Sequence, residues 1–260
     1  MNDRVSITVA DHIADVRLNR ADKMNAIDPA MFEGIANAID RLGAMAEVRV
    51  VVLSGEGRAF CAGLDMMSMA SGGSGLDITK RPWGDANLVQ QVSWGWRMLP
   101  MPVIAAVHGV ALGGGFQIMS GADIRIAAPG TRLSIREGHW GLVPDMGGIA
   151  LWRGLARDDV LRELTYTARE FTAEEGLGHG FVTRLADDPH AAAMALAREI
   201  AARSPHAVRG AKRLYNLAAD AAPGAILEAE TVEQLKVIRQ PNQVEAVKAN
   251  MEKRAPVFRD

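Results

Sequence analysis

The sequence predicts an α/β core that gives way near residue 190 to a region built of helices. Three observations carry this reading. Residues 48–53 and 103–107 form short, almost wholly apolar runs, which suit strands buried on both faces. These runs alternate with stretches whose apolar residues recur at helical spacing, the pattern of β-α-β units with mainly parallel strands. From about residue 189 onward only the helical spacing remains.

Taken in order, Val5, Ile7 and Val9 alternate with polar residues, and Ile13, Val16 and Leu18 follow after Asp11-His12, so the chain opens on an antiparallel hairpin. Asp28-Pro29 then starts a helix, with Asp at the N-cap and Pro in the first turn. Phe32, Ile35, Ile39 and Leu42 give that helix one apolar face. Residues 68–85, which include Ser71-Gly72-Gly73-Ser74-Gly75, read as a loop. Leu88, Val92, Trp96 and Leu99 mark a helix that Pro100 and Pro102 end. After the 103–107 strand, Gly113-Gly114-Gly115 turns the chain into a helix through Phe116, Ile118 and Met119. Residues 124–127 and 133–135 read as further strands. Thr172 and Glu175 form a capping-box pattern. A short strand near 182–185 precedes four helices at about 189–203, 205–219, 224–239 and 241–254. The organisation is therefore an α/β core over 1–190 and a helical region over 191–260.

Composition narrows the function. The 260 residues are 48% hydrophobic and 23% charged, an ordinary globular balance with ample length for a core without disulfides. The 29 basic and 31 acidic residues are interspersed, net −2, with no basic stripe, which argues against nucleic acid as the main partner. Cys61 is the single cysteine, so no intrachain disulfide forms and a reducing compartment is expected. The apolar run 101–112 is too short, and too broken by Pro102 and Gly109, to span a bilayer. The polar N-terminus carries no signal peptide pattern and the C-terminus no lipidation or peroxisomal signal, so the expected setting is the cytoplasm, with no membrane partner.

Several familiar sites are missing. There is no Gly-x-x-x-x-Gly-Lys-Ser/Thr loop and no Gly-x-Ser-x-Gly elbow. Gly176, Gly178 and Gly180 lack the spacing of a dinucleotide fingerprint, and the six histidines show no metal-ligand spacing. What remains is two glycine-bearing turns after buried strands, Arg58-Ala59-Phe60-Cys61-Ala62-Gly63-Leu64-Asp65 and His108-Gly109-Val110-Ala111-Leu112-Gly113-Gly114-Gly115, and a pair of acids, Glu137 and Asp145. A helix start at such a turn exposes unpaired N–H donors, and glycine lets a ligand approach the backbone.

Five segments in this order resemble the signatures of the enoyl-CoA hydratase/isomerase (crotonase) family. They are Leu18-Asn19-Arg20 through Asn25-Ala26-Ile27, Phe60 to Met66, Pro102 to Gly115, Gly141-Leu142-Val143-Pro144-Asp145-Met146-Gly147-Gly148, and Lys253-Arg254-Ala255-Pro256-Val257-Phe258. The resemblance covers essentially the whole chain. It implies a spiral of β-β-α units with a helical C-terminal region that serves oligomerisation, in a homotrimer or homohexamer. It also implies an acyl-CoA thioester substrate, with no cofactor beyond the coenzyme A that the substrate carries. By this resemblance the backbone N–H groups of Leu64 and Gly114 form an oxyanion hole for the thioester oxygen. Arg20, Lys23, Met24, Ala26, Ala62, Gly63, Asp65, Met66, Gly113, Lys253 and Phe258 become candidates for contact with substrate or coenzyme A. Each well-placed donor of an oxyanion hole is worth roughly 10²–10³ in rate.

The acid/base residues separate the possible reactions. The family's hydratases use two glutamates, at the positions of Gln117 and Glu137 here. An amide cannot deprotonate water, so Gln117 departs from the hydratase pattern and stands as a neutral hydrogen-bonding group. Members resembling dienoyl-CoA isomerases carry a Glu and an Asp at the spacing of Glu137 and Asp145. Double-bond migration is the favoured reading, with Glu137 as main base or acid and Asp145 as its partner. Two alternatives stay open: an enoyl-CoA hydratase in which Gln117 and Glu137 hold the water, and an acyl-CoA-binding homologue without turnover. Plainer roles exist for several residues. Asp145 has the place of a helix cap before Met146-Gly147, and Glu137 beside Arg136 that of a solvated loop acid. Cys61 reads as a small buried residue and His108 as a packed, hydrogen-bonded one. Trp83, Trp94 and Trp96 suit an acyl pocket or ordinary packing equally, and Arg20, Lys23 and Lys253 suit coenzyme A phosphates or open surface equally.

Overall fold

The computed structural model describes residues 4–70 and 76–260. Strand β1 (Val5–Ala10) pairs antiparallel with β2 (Ile13–Leu18) across a turn in which Asp11 (φ 50°) and His12 (φ 64°) both take left-handed backbone. Two left-handed residues give the turn a twist that matches its strands. Helix α1 (Pro29–Gly43) starts where expected: the Asp28 carboxylate accepts a hydrogen bond from the Met31 N–H at 2.8 Å, and Pro29 fills the first turn. Phe32, Ile35, Ile39 and Leu42 are buried along its inner face. Fully burying such a side chain contributes roughly 1.5–3 kcal/mol, so this face alone anchors the helix.

β3 (Val50–Gly55) lies parallel beside β2 and is buried almost throughout. Helix α2 (Met66–Ala70) occupies the start of the stretch read as loop, and the Ser71–Gly75 glycine run lies outside the described residues. Helix α3 (Leu88–Met98) opens on a reciprocal cap between Asn87 and Gln90 and packs on α1. Then come β4 (Val103–Val107), β5 (Val110–Leu112) and α4 (Gly114–Ser120), followed by β6 (Ile124–Ala127), β7 (Arg132–Ser134) and a 3₁₀ turn at Glu137–Trp140. Helices α5 (Gly148–Trp152) and α6 (Asp158–Thr167) follow, then β8 (Phe171–Thr172), α7 (Ala173–His179) and β9 (Arg184–Leu185). Thr172 does accept from the Glu175 N–H, at 3.3 Å, but the capping box is only half formed, because the Glu175 carboxylate pairs with Arg169.

Two sheets organise these strands. The larger runs β1-β2-β3-β4-β6-β9, parallel from β2 onward, and the smaller runs β5-β7-β8. β4-β5-α4 places one strand in each sheet before its helix; β6-β7 repeats the pattern, and after β3 a single residue, Cys61, bridged to Ala111, takes the second strand's place. This is the β-β-α spiral that the resemblance implies. Strand β5 escaped the sequence reading because three residues between glycines carry no period.

Helices α8 (Pro189–Ala201), α9 (Pro205–Ala218), α10 (Pro223–Val237) and α11 (Pro241–Met251) each begin with proline in the first turn. The expected boundary at 190–191 needs correction. Ala193, Ala197 and Ala201 of α8 pack on Val50, Val52, Ile104 and Ile126, so α8 is a layer of the core. The helices that stand outside the sheet layers begin with α9. Lys212 fastens α9 to the core: its buried ammonium donates to the carbonyls of Met101 (2.8 Å) and Trp96 (3.3 Å) and pairs with Asp123 (2.8 Å). Among the described residues no helix is long and apolar enough to cross a membrane.

Candidate active site

β3 and β4 are parallel neighbours, so their C-terminal ends release the two glycine turns at the same edge of the sheet. The turns are joined directly. The Cys61 N–H donates to the Val110 carbonyl at 3.0 Å, and the Leu112 N–H donates to the Cys61 carbonyl at 3.1 Å. Gly63 (φ +88°) then lies against the Leu112 carbonyl, 2.6 Å from where a β-carbon would stand, and at Gly115 that distance to the Cys61 carbonyl is 2.3 Å. Only glycine allows this approach. Asn25 braces the first turn from below: its side-chain amide donates to the carbonyls of Glu56 (2.9 Å), Ala59 (2.8 Å) and Phe60 (3.2 Å), while its own carbonyl accepts from the Cys61 thiol. Burial pushes that thiol up to about 12, so Cys61 is a packing residue.

Two amides are left over by this construction. Ile27 bonds the carbonyl of Gly63 and the N–H of Asp65, in a parallel bridge opposite Leu64. Alternation along the strand then turns the Leu64 N–H to the other side. Gly114 is the first residue of α4, where the N–H has no acceptor within the helix. Both residues line one small cavity of about 100 Å³, with Ala62, Gly63 and Met66 on one wall, Leu112 and Gly113 on the next, and Arg136, Glu137, Trp140 and Leu142 on the third.

Glu137 is buried at the head of the 3₁₀ turn, not solvated beside Arg136, whose guanidinium pairs with Glu170. One carboxyl oxygen, Oε1, accepts from the Gln117 Nε2 at 2.6 Å and lies 3.5 Å from where a β-carbon on Gly113 would stand. The other, Oε2, is buried without a hydrogen-bond partner among the described residues. Burial is the main cause that raises the Glu137 pKa above the usual carboxylate range; the Gln117 bond opposes it and the charge of Asp145 adds to it. The Asp145 carboxyl is also raised, by the protein around it, although the residue keeps an open side to solvent. Asp145 caps no helix, because α5 has Gly147 at its N-cap and no side-chain cap.

Gln117 is fully buried and stands behind Glu137, outside the cavity wall. Its Oε1 accepts from the N–H groups of Met146 (3.0 Å) and Gly148 (2.9 Å). A neighbouring ring cluster holds α4 still: Phe116 meets Phe181 at 5.1 Å, Trp152 at 5.5 Å and Phe171 at 5.7 Å.

Other candidates are placed differently from expectation. Arg20 and Asp65 are engaged with each other at 2.7 Å, with Asp28 3.6 Å from the same guanidinium, so Arg20 braces the cavity rim and is not held free for a phosphate. The guanidinium holds the Asp65 carboxyl below its usual range. Met24, Ala26 and Ala62 run together, the Ala62 N–H donating to the Met24 carbonyl at 2.9 Å, with Lys23 exposed beside them and its ammonium without a partner among the described residues. Lys253 and Phe258 are not brought to the cavity within one chain. Arg49, at the opposite end of β3, binds the Phe258 carbonyl (3.0 Å) and the Asp260 carboxylate (2.6 Å). A six-residue strand puts about 20 Å between the two ends. Trp96 is core, Trp94 packs on the core and Trp83 donates to Asp40, so none of the three lines the cavity. The tryptophan at the mouth is Trp140, which the sequence reading passed over because no period marks a 3₁₀ turn. His108 does not line the cavity; its Nε2 bonds the Gly57 carbonyl at 2.9 Å.

A family model described as enoyl-CoA hydratase/isomerase matches residues 8–260 of the chain. The mitochondrial Delta(3,5)-Delta(2,4)-dienoyl-CoA isomerase of Mus musculus is 32% identical to it over 96% of this chain and 80% of its own length. A putative enoyl-CoA hydratase/isomerase of Bacillus subtilis, YngF, is 32% identical over 100% of this chain and 99% of its own. Among solved structures, a putative enoyl-CoA hydratase from Streptomyces coelicolor superposes with a TM-score of 0.90 at 29% identity, over 98% of this chain and 94% of that one. A probable enoyl-CoA hydratase/isomerase from Mycobacterium abscessus does so with a TM-score of 0.86 at 32% identity, over 99% of each chain.

Proposed function

The chain belongs to the enoyl-CoA hydratase/isomerase family of enzymes, and from that premise we propose that it is an acyl-CoA isomerase that moves a double bond along an enoyl- or dienoyl-CoA. The observation that carries the reading is the buried Glu137, whose Oε2 has no hydrogen-bond partner among the described residues, on the wall of the same small cavity as Leu64 and Gly114. In this mechanism the thioester oxygen accepts from the Leu64 and Gly114 N–H groups. A carboxylate takes a proton from one end of the conjugated chain: the C–H bond breaks, an O–H bond forms, and the electron pair shifts into the enolate held by the two amides. A carboxylic acid returns a proton to the other end, so the product has the mass of the substrate. Glu137 is the principal proton carrier and Asp145 its partner, each suited to the task by a carboxyl pKa displaced upward toward working pH.

Lys23, with the backbone of Met24 and Ala26, is the proposed contact for coenzyme A, and Gly63, Met66 and Gly113 shape the space around the reacting thioester. No cofactor beyond the coenzyme A of the substrate enters the reading, and its setting is the cytoplasm. The proposed assembly is a homotrimer or homohexamer. Its support is α10, which buries no residue and exposes Leu227 (63%) and Leu235 (66%). Light scattering on the purified protein tests this directly: a monomer sinks it.

The activity is tested by mixing the protein with crotonyl-CoA and with a 3,5-dienoyl-CoA and following absorbance and mass. A spectral change at constant mass supports isomerisation. A gain of one water on crotonyl-CoA replaces it with the second reading.

A further inference from the structure

The orientation of Gln117 is decided by its surroundings. Of the two ends of a side-chain amide only the oxygen can accept, and two backbone N–H groups, from Met146 and Gly148, converge on one end of this side chain at 3.0 and 2.9 Å. That end is the carbonyl, so the NH₂ end faces Glu137, 2.6 Å from its Oε1. Toward Glu137 the group is therefore a donor only. Oε1 must accept in every protonation state, and a proton on Glu137 has one place to go: Oε2, the oxygen buried without a partner among the described residues. The same Gln117 oxygen grips residues on either side of Gly147, immediately after Asp145, and Met146 in turn places its sulfur against Gly114, 2.7 Å from where a β-carbon would stand.

We infer that Gln117 is a positioning residue that makes Glu137 a one-ended proton carrier and holds the Asp145 turn in register with it, which suits the site to moving a proton within the substrate and not to adding water. The inference rests on the reading of Glu137 as the proton carrier. An acid at position 117 would exchange protons with Glu137 across the same short bond; an amide cannot, so the carboxyl works from one oxygen and keeps its charge count.

The test compares Gln117→Glu and Gln117→Met with the wild-type protein. Glu137 is titrated by infrared difference spectroscopy, its carboxyl band identified by subtraction of Glu137→Gln, and kcat and KM are measured across pH on a 3,5-dienoyl-CoA. In Gln117→Glu two carboxyls share one proton, and in Gln117→Met the carboxylate loses its donor. Both changes raise the Glu137 midpoint, by about one pH unit or more. At neutral pH kcat falls by about tenfold or more while KM stays within about threefold. Gln117→Glu is isosteric and decides the matter alone if Gln117→Met does not fold. A Glu137 midpoint that stays put in Gln117→Glu overturns the inference, and so does water addition by the wild-type protein as fast as isomerisation. If the wild-type protein turns over no dienoyl thioester, the functional reading fails, yet the infrared midpoint still decides whether Gln117 sets the state of Glu137.

Discussion

Two groups of charged side chains stand at the cavity, and they are built on opposite rules. At the rim, Arg20, Asp65 and Asp28 satisfy one another, and the Arg20 NH1 also donates to the Ala26 carbonyl at 3.0 Å. On the third wall Glu137 keeps one oxygen unpaired, and beyond that wall the exposed Asp145 makes no ion pair, both among the described residues. The consequence is visible in the two carboxyls' acidity: Asp65 is pulled below the ordinary range by its arginine, and Glu137 is pushed above it by burial. Paired charge holds the scaffold in shape. Unpaired buried charge costs stability and persists where it has work to do.

The contrast yields opposite expectations for the two groups. The largest concerns Glu137→Gln, which should lower kcat by about 10³-fold, since it removes the proposed proton carrier. In the wild-type protein the same group gives kcat an acid limb above the ordinary carboxyl value of about 4.3, because the base form is lost as pH falls through the raised pKa. A limb at or below that value breaks the assignment. Next, Arg20→Met should destabilise the fold by about 3 kcal/mol, read from urea unfolding, because it strands Asp65, while Asp28 keeps Arg4 at 2.6 Å. The sign follows from linkage. A carboxyl with a depressed folded pKa contributes stability above its unfolded pKa that is lost as pH falls, so this deficit is present at pH 7 and shrinks below about pH 4. An unchanged denaturation midpoint would make the rim cluster ornamental. Asp145→Asn should cost about tenfold in kcat on a dienoyl-CoA, or about 1.4 kcal/mol, and leave stability unchanged. Full activity would reduce the site to one acid. The smallest effect has the reverse sign: Glu137→Gln should stabilise the fold at pH 7, by about 1 kcal/mol, and the gain should vanish below about pH 4. A variant that melts earlier than wild type contradicts the idea that Glu137 is a strained charge.

Much of this architecture was readable from the chain. The hairpin, α1, α3 and the last four helices announce themselves by period, cap and proline, all of them local signals. The same locality explains what escaped. β5 and β8 are three and two residues long and exist only through their partners. α8 has an ordinary helical pattern, and nothing in it says that its alanines lie on a sheet. Lys212 looks like any surface lysine of an amphipathic helix, yet its ammonium is enclosed by groups contributed from residues 96, 101 and 123. In the candidate site, the glycine turns and Glu137 followed from the order of motifs. The paired state of Arg20 and the orientation of Gln117 did not, because each depends on groups brought from several segments at once. Where the tail lies within one chain was illegible for the same reason: its motif says nothing of Arg49, which binds it.

The welded pair of turns has a consequence for how such a site can diversify. Cys61 is stitched by two hydrogen bonds to Val110 and Leu112, on either side of Ala111, and Gly63 and Gly115 sit too close to opposing carbonyls to tolerate even a methyl group. The gauge between the two amides is thus a constant of the scaffold, like the spacing of rails. New substrates cannot be accommodated by widening it. Variation in chemistry has to be written on the one side that the weld leaves adjustable, from Glu137 to Gly148, where a handful of substitutions can retune the reaction without disturbing the track on which it runs.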